Sequence, residues 1–478
     1  MNNRYAHRAR TTGARDRRAL QVRQIVADGL DGPRRHLPIR VAVSRRRTTG
    51  CVQPIGSSQS SGSGVREEHG DPRHRRLRIA GGVAMRFNYA INPRRRRARS
   101  NLSGKDAEAP HKVQSRAMPE VNAHEPIDIL PAHRFNEAAL IDYLSRSLDG
   151  FEPPAVIRQF QGGQSNPTFL IQTPSKKYVL RKKPPGKLLP SAHQVEREFT
   201  VMKALHGTGV PVPEPLVLCE DPAIIGTAFY VMGFVEGRIF TTPAMPDSTP
   251  DQRAGVYASM AETLARLHGV DWRNCGLATF GRPDGYLNRQ VERWSKQYLS
   301  TKTAEMPAMD QLMAWLPSRI PATSDSAIAH GDYRLGNLLI DPRRPTVAAI
   351  VDWELATIGH PLADLAYCCM AYRLPPDDPV FPGLAGADLG ALGIPTEAQF
   401  VAAYCRAAGR DRIDDWAFFL AFSFFRLAAI TQGVYARGLQ GNASDLKATS
   451  YGAVARRSAE QGWLIASRGA EPGRQEEI

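Results

Sequence analysis

From about residue 126 onward, apolar and polar positions follow regular periods. Phe135–Leu148 places Leu140, Ile141, Leu144 and Leu148 at helical spacing and ends at Asp149-Gly150, a helix stop. Ala155–Gln161 and Thr168–Thr173 flank Gly162-Gly163-Gln164-Ser165-Asn166-Pro167, which reads as strand, turn and strand, and Lys177–Lys182 continues as a third strand. After Pro184-Pro185-Gly186 the spacing predicts a helix from about Ala192 to His206, with Val195, Phe199, Met202 and Leu205 on one face. Pro211–Pro215 leads into strands at Leu216–Cys219 and Ala228–Phe234. From Asp251 the period turns helical, over 251–269, about 285–300, 308–316, 396–408, 411–438 and about 449–466. A strand-rich island at Ser326–Trp353 interrupts these helices. The order is a small β-rich half, a connector near Gly233–Gly237 and a larger helical half, with no repeat at solenoid periods.

Residues 1–117 break this regularity. They carry 27 Lys+Arg against 8 Asp+Glu, a balance of +19, while 118–478 carry 35 against 39, or −4. The chain's formal charge of +15 therefore belongs to the first quarter. Arg45–Arg47, Arg94–Arg97 and the Gly/Ser-rich stretch Gly56–Gly64 punctuate that quarter, and no sustained period offers enough apolar burial to offset ordering entropy. Three readings stay open. One is a disordered basic tail that meets nucleic acid or anionic lipid. Another is a long targeting segment without an apolar signal core. The third is translation begun upstream of the true start, with Met85 and Met118 as internal starts and an Arg excess (51 to 11 Lys) that suits a GC-rich genome. Nucleic-acid binding is the minor option.

The overall composition, 42% hydrophobic and 23% charged, is globular and excludes collagen, coiled coil and wholesale disorder. The six cysteines (Cys51, Cys219, Cys275, Cys368, Cys369, Cys405) form no CxxC or metal-ligand spacing, so a reduced, cytoplasmic protein is expected. The longest apolar run, Trp416–Ile430, contains Ser423 and Arg426 and reads as a buried helix too short to span a bilayer. Its Trp416, Phe418, Phe419, Phe422, Phe424 and Phe425 suit either core or a greasy acyl pocket, core being the usual state of such a helix.

The island carries the candidate chemistry. It reads Ile328-Ala-His330-Gly331-Asp332-Tyr-Arg-Leu-Gly-Asn337-Leu-Leu-Ile340-Asp341, then Ala349-Ile-Val351-Asp352-Trp353-Glu354. A carboxylate near a substrate hydroxyl can accept its proton, and an amide oxygen with a second carboxylate can hold Mg²⁺ through hard oxygen ligands. Phosphoryl transfer needs such groups plus cations on the phosphates, because its catalysis is mostly positioning and charge neutralisation. A lone HxD would more often be a turn; the combined HGDxxxxN, a strand and D-W-E at hairpin distance argue for a site.

These residues resemble the catalytic and metal loops of aminoglycoside phosphotransferase-like, protein-kinase-like small-molecule kinases. The resemblance runs over about residues 130–465. Its details are similar to the acyl-CoA-dehydrogenase-associated phosphotransferase branch: Gly-Gln164-Ser-Asn166-Pro-Thr168, Tyr-Val-Leu-Arg181-Lys-Lys-Pro-Pro-Gly186, and Asp352-Trp-Glu354 running on through His360 to Asp364-Leu-Ala. It implies an α+β, two-lobed protein-kinase-like fold with ATP in the cleft. A β-rich N-lobe is expected over 118–236 and a helical C-lobe over 237–478. By resemblance Asp332 is the catalytic base, and Asn337 and Asp352 are the Mg²⁺ ligands. His330 braces the loop by hydrogen bonding. Gly162–Thr168 looks like the phosphate-covering loop, with Gly163, Ser165 and Asn166 near the nucleotide, although the full GxGxxG is missing. Arg181 stands in register where protein kinases place Lys, and its planar fork keeps the charge for the α/β-phosphates. Lys183 shares its strand face and is the weaker candidate, while Lys182 and Lys183 also read as a solvated charge run. Glu198 is the better partner for Arg181, and Glu196 could face solvent. Phe229–Phe234 would be the hinge strand reading adenine, with Val179 covering the ring. Glu354 assists the metal or orients the loop, and Asp364 caps a helix or ties loops together. His360 stands where related sequences carry Asp, so no role transfers to it.

The resemblance implies an ATP- and Mg²⁺-dependent small-molecule kinase acting on a hydroxyl, of a hydroxyacyl-CoA-type metabolite in fatty-acid catabolism. An acyl-CoA dehydrogenase is then the pathway neighbour. Two rivals stand beside it. An aminoglycoside kinase should show an acidic lining, for which a balance of −4 is too mild. A non-catalytic kinase-like module binding nucleotide or a partner is disfavoured by Asp332, Asn337 and Asp352.

Overall fold

The computed structural model describes residues 125–469 apart from 162–165, 187–192, 323–324, 379 and 442–446. These fall within one compact unit, Ala109–Ile478; the basic first quarter lies outside the described residues. Ten strands and eleven helices run along the described chain. The first half supplies β1 (Pro126–Ile127), α1 (Glu137–Ser147), β2 (Val156–Phe160), β3 (Thr168–Gln172), β4 (Lys177–Lys182), α2 (Val195–Leu205), β5 (Pro215–Cys219), the one-turn α3 (Pro222–Ile225) and β6 (Phe229–Gly233). The second half begins with α4 (Pro250–His268), α5 (Tyr286–Thr301) and α6 (Pro307–Ser318). The island follows with β7 (Ala327–Ala329), β8 (Leu338–Ile340), β9 (Val347–Ile350) and β10 (Thr357–Gly359). Then come α7 (Pro361–Cys369), the one-turn α8 (Leu389–Leu392), α9 (Glu397–Ala408), α10 (Trp416–Leu439) and α11 (Tyr451–Arg468).

The first half builds a six-stranded antiparallel sheet in the order β1-β2-β3-β4-β6-β5. Alternation along β4 divides its two faces. Tyr178 and Leu180 join Leu140 and Leu144 of α1 in a small apolar core, and Val179 joins Phe199 and Met202 of α2 in the large one. The α1 helix starts where Asn136 Oδ1 accepts the Ala139 N–H. Complete burial of Leu140 and Leu144 stabilises its seat on the sheet by about 1.5–3 kcal/mol per side chain. Register places Arg181 of β4 between Thr168 of β3 and Tyr230 of β6, in the middle of the sheet.

In the second half, capping boxes at Thr249/Gln252 and Thr396/Gln399 start α4 and α9. The α10 helix has 24 residues, long and apolar enough by length and composition alone to cross a bilayer. The sequence run ended at Ile430, so the expectation that it is too short is corrected: its apolar face continues through Ala436. Trp416, Phe418, Phe419, Phe422, Phe424 and Phe425 are all buried, packed in the large core beside α5, α7 and α11. They belong to the core.

The island folds into two short antiparallel pairs, β7–β10 and β8–β9. The Arg238 N–H donates to Ile340 O at 2.8 Å and the Ile340 N–H returns to Arg238 O at 2.8 Å, fastening the connector to the β8–β9 hairpin. The architecture is the α+β two-lobed, protein-kinase-like one, with a sheet-based first lobe and a helical second lobe.

Candidate active site

The loop between β7 and β8 presents Asp332. The Asn337 amide nitrogen donates to Asp332 O at 2.8 Å and to Asp332 Oδ2 at 2.7 Å, while Arg334 Nε lies 3.4 Å from the same Oδ2. Tyr367 is buried near Asp332, and burial followed by this carboxylate raises its pKa. His330 is fully buried beneath the loop: its Nδ1 accepts the Asp332 N–H at 3.2 Å and its Nε2 pairs with Val351 O at 3.0 Å. His330 thus links the Asp332 loop to the strand end that carries Asp352.

Gly331 makes the sharp entry into that loop. Its φ is +82°, and a Cβ there would sit 2.7 Å from Leu355 O, so only glycine fits. Asp364, buried on α7, accepts the His330 N–H at 2.5 Å and the Gly331 N–H at 2.9 Å. Burial opposes its ionisation, but His268, His330 and the Gly331 N–H outweigh this and hold the carboxyl below its ordinary range. From the other side, Arg426 of α10 donates to Gly331 O at 2.5 Å and stacks over Tyr367 and Trp294. Asp364 therefore ties the loop. The helix cap belongs to His360, whose Nδ1 accepts the Leu362 N–H at 3.2 Å.

Arg181 is the hub of the second cluster. Its Nε lies 2.9 Å from Glu198 Oε2, close enough for ion pairing though not aligned as a hydrogen bond. Its Nη2 donates to Asp352 Oδ1 at 2.7 Å and lies 3.8 Å from Glu354 Oε2. Burial alone would lower the arginine's pKa; Glu198, Tyr230, Asp352 and Glu354 reverse that and raise it, so Arg181 stays charged. Glu198 is 1% exposed and also accepts Asn166 Nδ2 at 2.7 Å and the Tyr230 hydroxyl at 3.0 Å. Burial pushes its carboxyl up to about 7, with Arg181 pulling the other way. Asp352 itself has a left-handed backbone, φ 66°, which Asp tolerates better than most residues.

Several expected positions take their places around these clusters. Gly163 and Ser165 lie outside the described residues. Asn166 is fully buried, with its side chain turned inward to Glu198 and to His193 Nδ1 at 3.1 Å. Val179 is buried two residues from Arg181, on the same strand face. Lys183 pairs with Glu196, so neither is a free surface charge. Lys182 is buried on the opposite face over the Phe135 ring, and burial lowers its pKa. Sequence reading passed over Arg197, which donates to Phe280 O at 2.9 Å and Ala356 O at 3.3 Å and ties α2 to the segment after Glu354. It also passed over Tyr230 and Tyr367. Their partners lie far away in the chain, so no local spacing marks them.

A cavity of about 740 Å³ opens between Arg266–Cys275, Asp325–Ala327 and the C-terminal part of α9. None of Asp332, Asn337, Asp352 or Arg181 lines it, so its size does not make it the site. A pocket of about 90 Å³ is lined in part by Arg334, Leu335 and Gly336 of the Asp332 loop and by Tyr367 of α7.

Among the described residues no group of three or more His, Cys, Asp or Glu could hold a metal ion alone. Asn337 and Asp352 nevertheless suit a cation that draws the rest of its shell from phosphate and water, as Mg²⁺ does. Asn337 spends its amide nitrogen on Asp332, which leaves the hard amide oxygen as its available donor. The backbone is also joined here, because the Val351 N–H donates to Asn337 O at 3.0 Å.

The chain resembles known proteins over this same region. Residues 156–419 match the model of the phosphotransferase enzyme family. Acyl-CoA dehydrogenase family member 10 of Mus musculus is 46% identical over 315 residues, covering 66% of this chain and 30% of that protein. Acyl-CoA dehydrogenase family member 11 of Rattus norvegicus is 45% identical over 325 residues, 66% of this chain and 42% of that protein. The chain thus spans less than half the length of these curated relatives. A crystal structure of a candidate aminoglycoside phosphotransferase from Ralstonia eutropha is 44% identical, with a TM-score of 0.65, and the match covers 71% of this chain and all of that one. The family match contains both clusters, from Arg181 to Asp364, and on that ground the chain belongs to the phosphotransferase enzyme family.

Proposed function

We propose that this protein is an ATP- and Mg²⁺-dependent kinase that phosphorylates the hydroxyl of a small molecule, a hydroxyacyl-CoA-type metabolite. The observation that carries the reading is Asp332. Its carboxylate is fixed by Asn337 and Arg334 on a loop that His330 and Asp364 lock from beneath. A carboxylate so held can orient an acceptor hydroxyl and take its proton as the oxygen attacks the terminal phosphorus and the bond to ADP breaks. Arg181, charged and aimed by Glu198, supplies a cation for the phosphates. Asn337 and Asp352 would hold Mg²⁺, which when bound neutralises phosphate charge.

Two observations support an acyl-type acceptor. The pocket beside Asp332 is lined mostly by aromatic and aliphatic side chains and, among the described residues, by no carboxylate, whereas a polycationic aminoglycoside calls for acidic groups. Curated relatives at about 45% identity carry acyl-CoA dehydrogenase names, which is consistent with a pathway link to such an enzyme.

ADP release by the full chain, measured against hydroxyacyl-CoAs, aminoglycosides and sugars, tests the reading. Turnover above background only with a CoA thioester is the expected outcome. Turnover with aminoglycosides alone would replace the acceptor. Tight ATP binding without turnover on any of them would favour a non-catalytic module.

A further inference from the structure

The pocket next to Asp332 has a definite chemistry. Its walls include Tyr257, Tyr372 and Phe400, whose ring centroids stand 6.1–6.3 Å apart, together with Leu374 and Val380. Arg334 is its one charged lining residue. At about 90 Å³ it exceeds several-fold the roughly 10–15 Å³ that a single water needs, and an apolar cavity of this kind suits a hydrocarbon better than water. Arg334, whose Nε lies 3.4 Å from Asp332 Oδ2, lines the pocket, so the pocket begins where the acceptor hydroxyl must sit.

We propose that this pocket receives the hydrocarbon chain of the hydroxyl acceptor. The inference rests on the kinase reading and specifies its acceptor: a chain-bearing hydroxy compound whose reacting hydroxyl lies at Asp332 and whose apolar part lies against Tyr257, Tyr372 and Phe400. Val380 and Leu374 then set the length of chain admitted.

The test uses the full chain, hydroxyacyl-CoAs of stepped chain length, and the variants Val380→Ala and Val380→Trp. Val380→Ala enlarges the pocket and should move the preferred chain to a longer one, with KM for ATP unchanged. Val380→Trp fills the pocket and should move the preferred chain to a shorter one, lowering kcat/KM for the longest by about 10-fold or more relative to the shortest. Turnover that neither variant alters for any chain length would overturn the pocket while leaving the kinase reading standing. If no acceptor turns over, titration with the same acyl-CoAs decides. Binding that weakens with chain length in Val380→Trp keeps the pocket and sinks the kinase reading; no binding, or equal binding to both proteins, overturns the pocket.

Discussion

Arg181 Nη2 lies 2.7 Å from Asp352 Oδ1 across a sequence separation of 171 residues. The pair joins the centre of the first lobe's sheet to the strand end that follows the Asp332 loop. Because Nε of the same guanidinium faces Glu198, one arginine holds a buried carboxylate and a cleft carboxylate at once. A lysine, with one compact ammonium, cannot span both in the same planar geometry.

The stability of this cluster therefore depends on its charge balance. Arg181→Met removes the cation that offsets the burial of Glu198, 1% exposed, so that carboxyl must take up a proton to stay buried, and losing the pair should cost roughly 3–5 kcal/mol. Adding Glu198→Gln replaces the titrating carboxyl with a neutral amide, so the double variant should recover most of the loss. Chemical denaturation of the wild type, both single variants and the double variant gives the coupling. Strict additivity would show that the two side chains do not support each other.

Asp332→Asn tests the proposed base. The amide keeps an acceptor for Asn337 but cannot take a proton. ADP release with the best acceptor should fall at least ~10²-fold while nucleotide affinity, measured by titration, stays within about threefold. An unchanged rate would remove Asp332 from the chemistry.

Where local pattern decides structure, the sequence was legible. Lys177–Lys182 was read at its observed ends because β4 is bounded by turn residues and alternates between two cores. Asp332, Asn337 and Asp352 were singled out by the HGDxxxxN spacing and the D-W-E that follows, and their roles came from the family resemblance. The helix Pro361–Cys369 was missed because all nine of its residues are buried, so no polar face reveals a period. Asn166 illustrates a second limit. A motif put it at the phosphates, but whether its side chain turns out to ligand or in to Glu198 depends on a helix 32 residues away. For Asp364 the sequence left capping and loop-tying open, and His360, to which no role transferred, took the cap.

Gly331 gives a backbone prediction. Its positive φ and the 2.7 Å approach to Leu355 O both oppose a side chain, so Gly331→Ala should destabilise by at least about 1–3 kcal/mol. Asp364→Ala should cost at least about 2 kcal/mol, because it strips the acceptor from two buried N–H groups. Both should lower kcat more than they raise KM for ATP, since Arg181 and Glu198 are untouched. Loss of nucleotide binding instead would place the loop's influence at the phosphates.

His360 supplies a pH dependence whose sign can be worked out. Burial pushes its imidazole down to about 4 from an ordinary value of 6.5, with Arg410 and His268 adding to the effect and Asp325 opposing it. Its Nδ1 accepts the Leu362 N–H, the ring packs 4.7 Å from Phe419, and the buried Nε2 has no partner among the described residues. The folded protein therefore keeps the ring neutral while the unfolded chain protonates it. A folded pKa below the unfolded one gives stability that is present above 6.5 and lost as pH falls toward 4. A difference of that size corresponds to about 3 kcal/mol. His360→Asn retains a helix-capping acceptor without a titrating ring. Relative to wild type it should therefore lose less stability between pH 6.5 and 4, which denaturant titration at stepped pH measures. Parallel pH profiles for the two proteins would show that the ring does not stay neutral in the fold, and that the cap at α7 tolerates its charge.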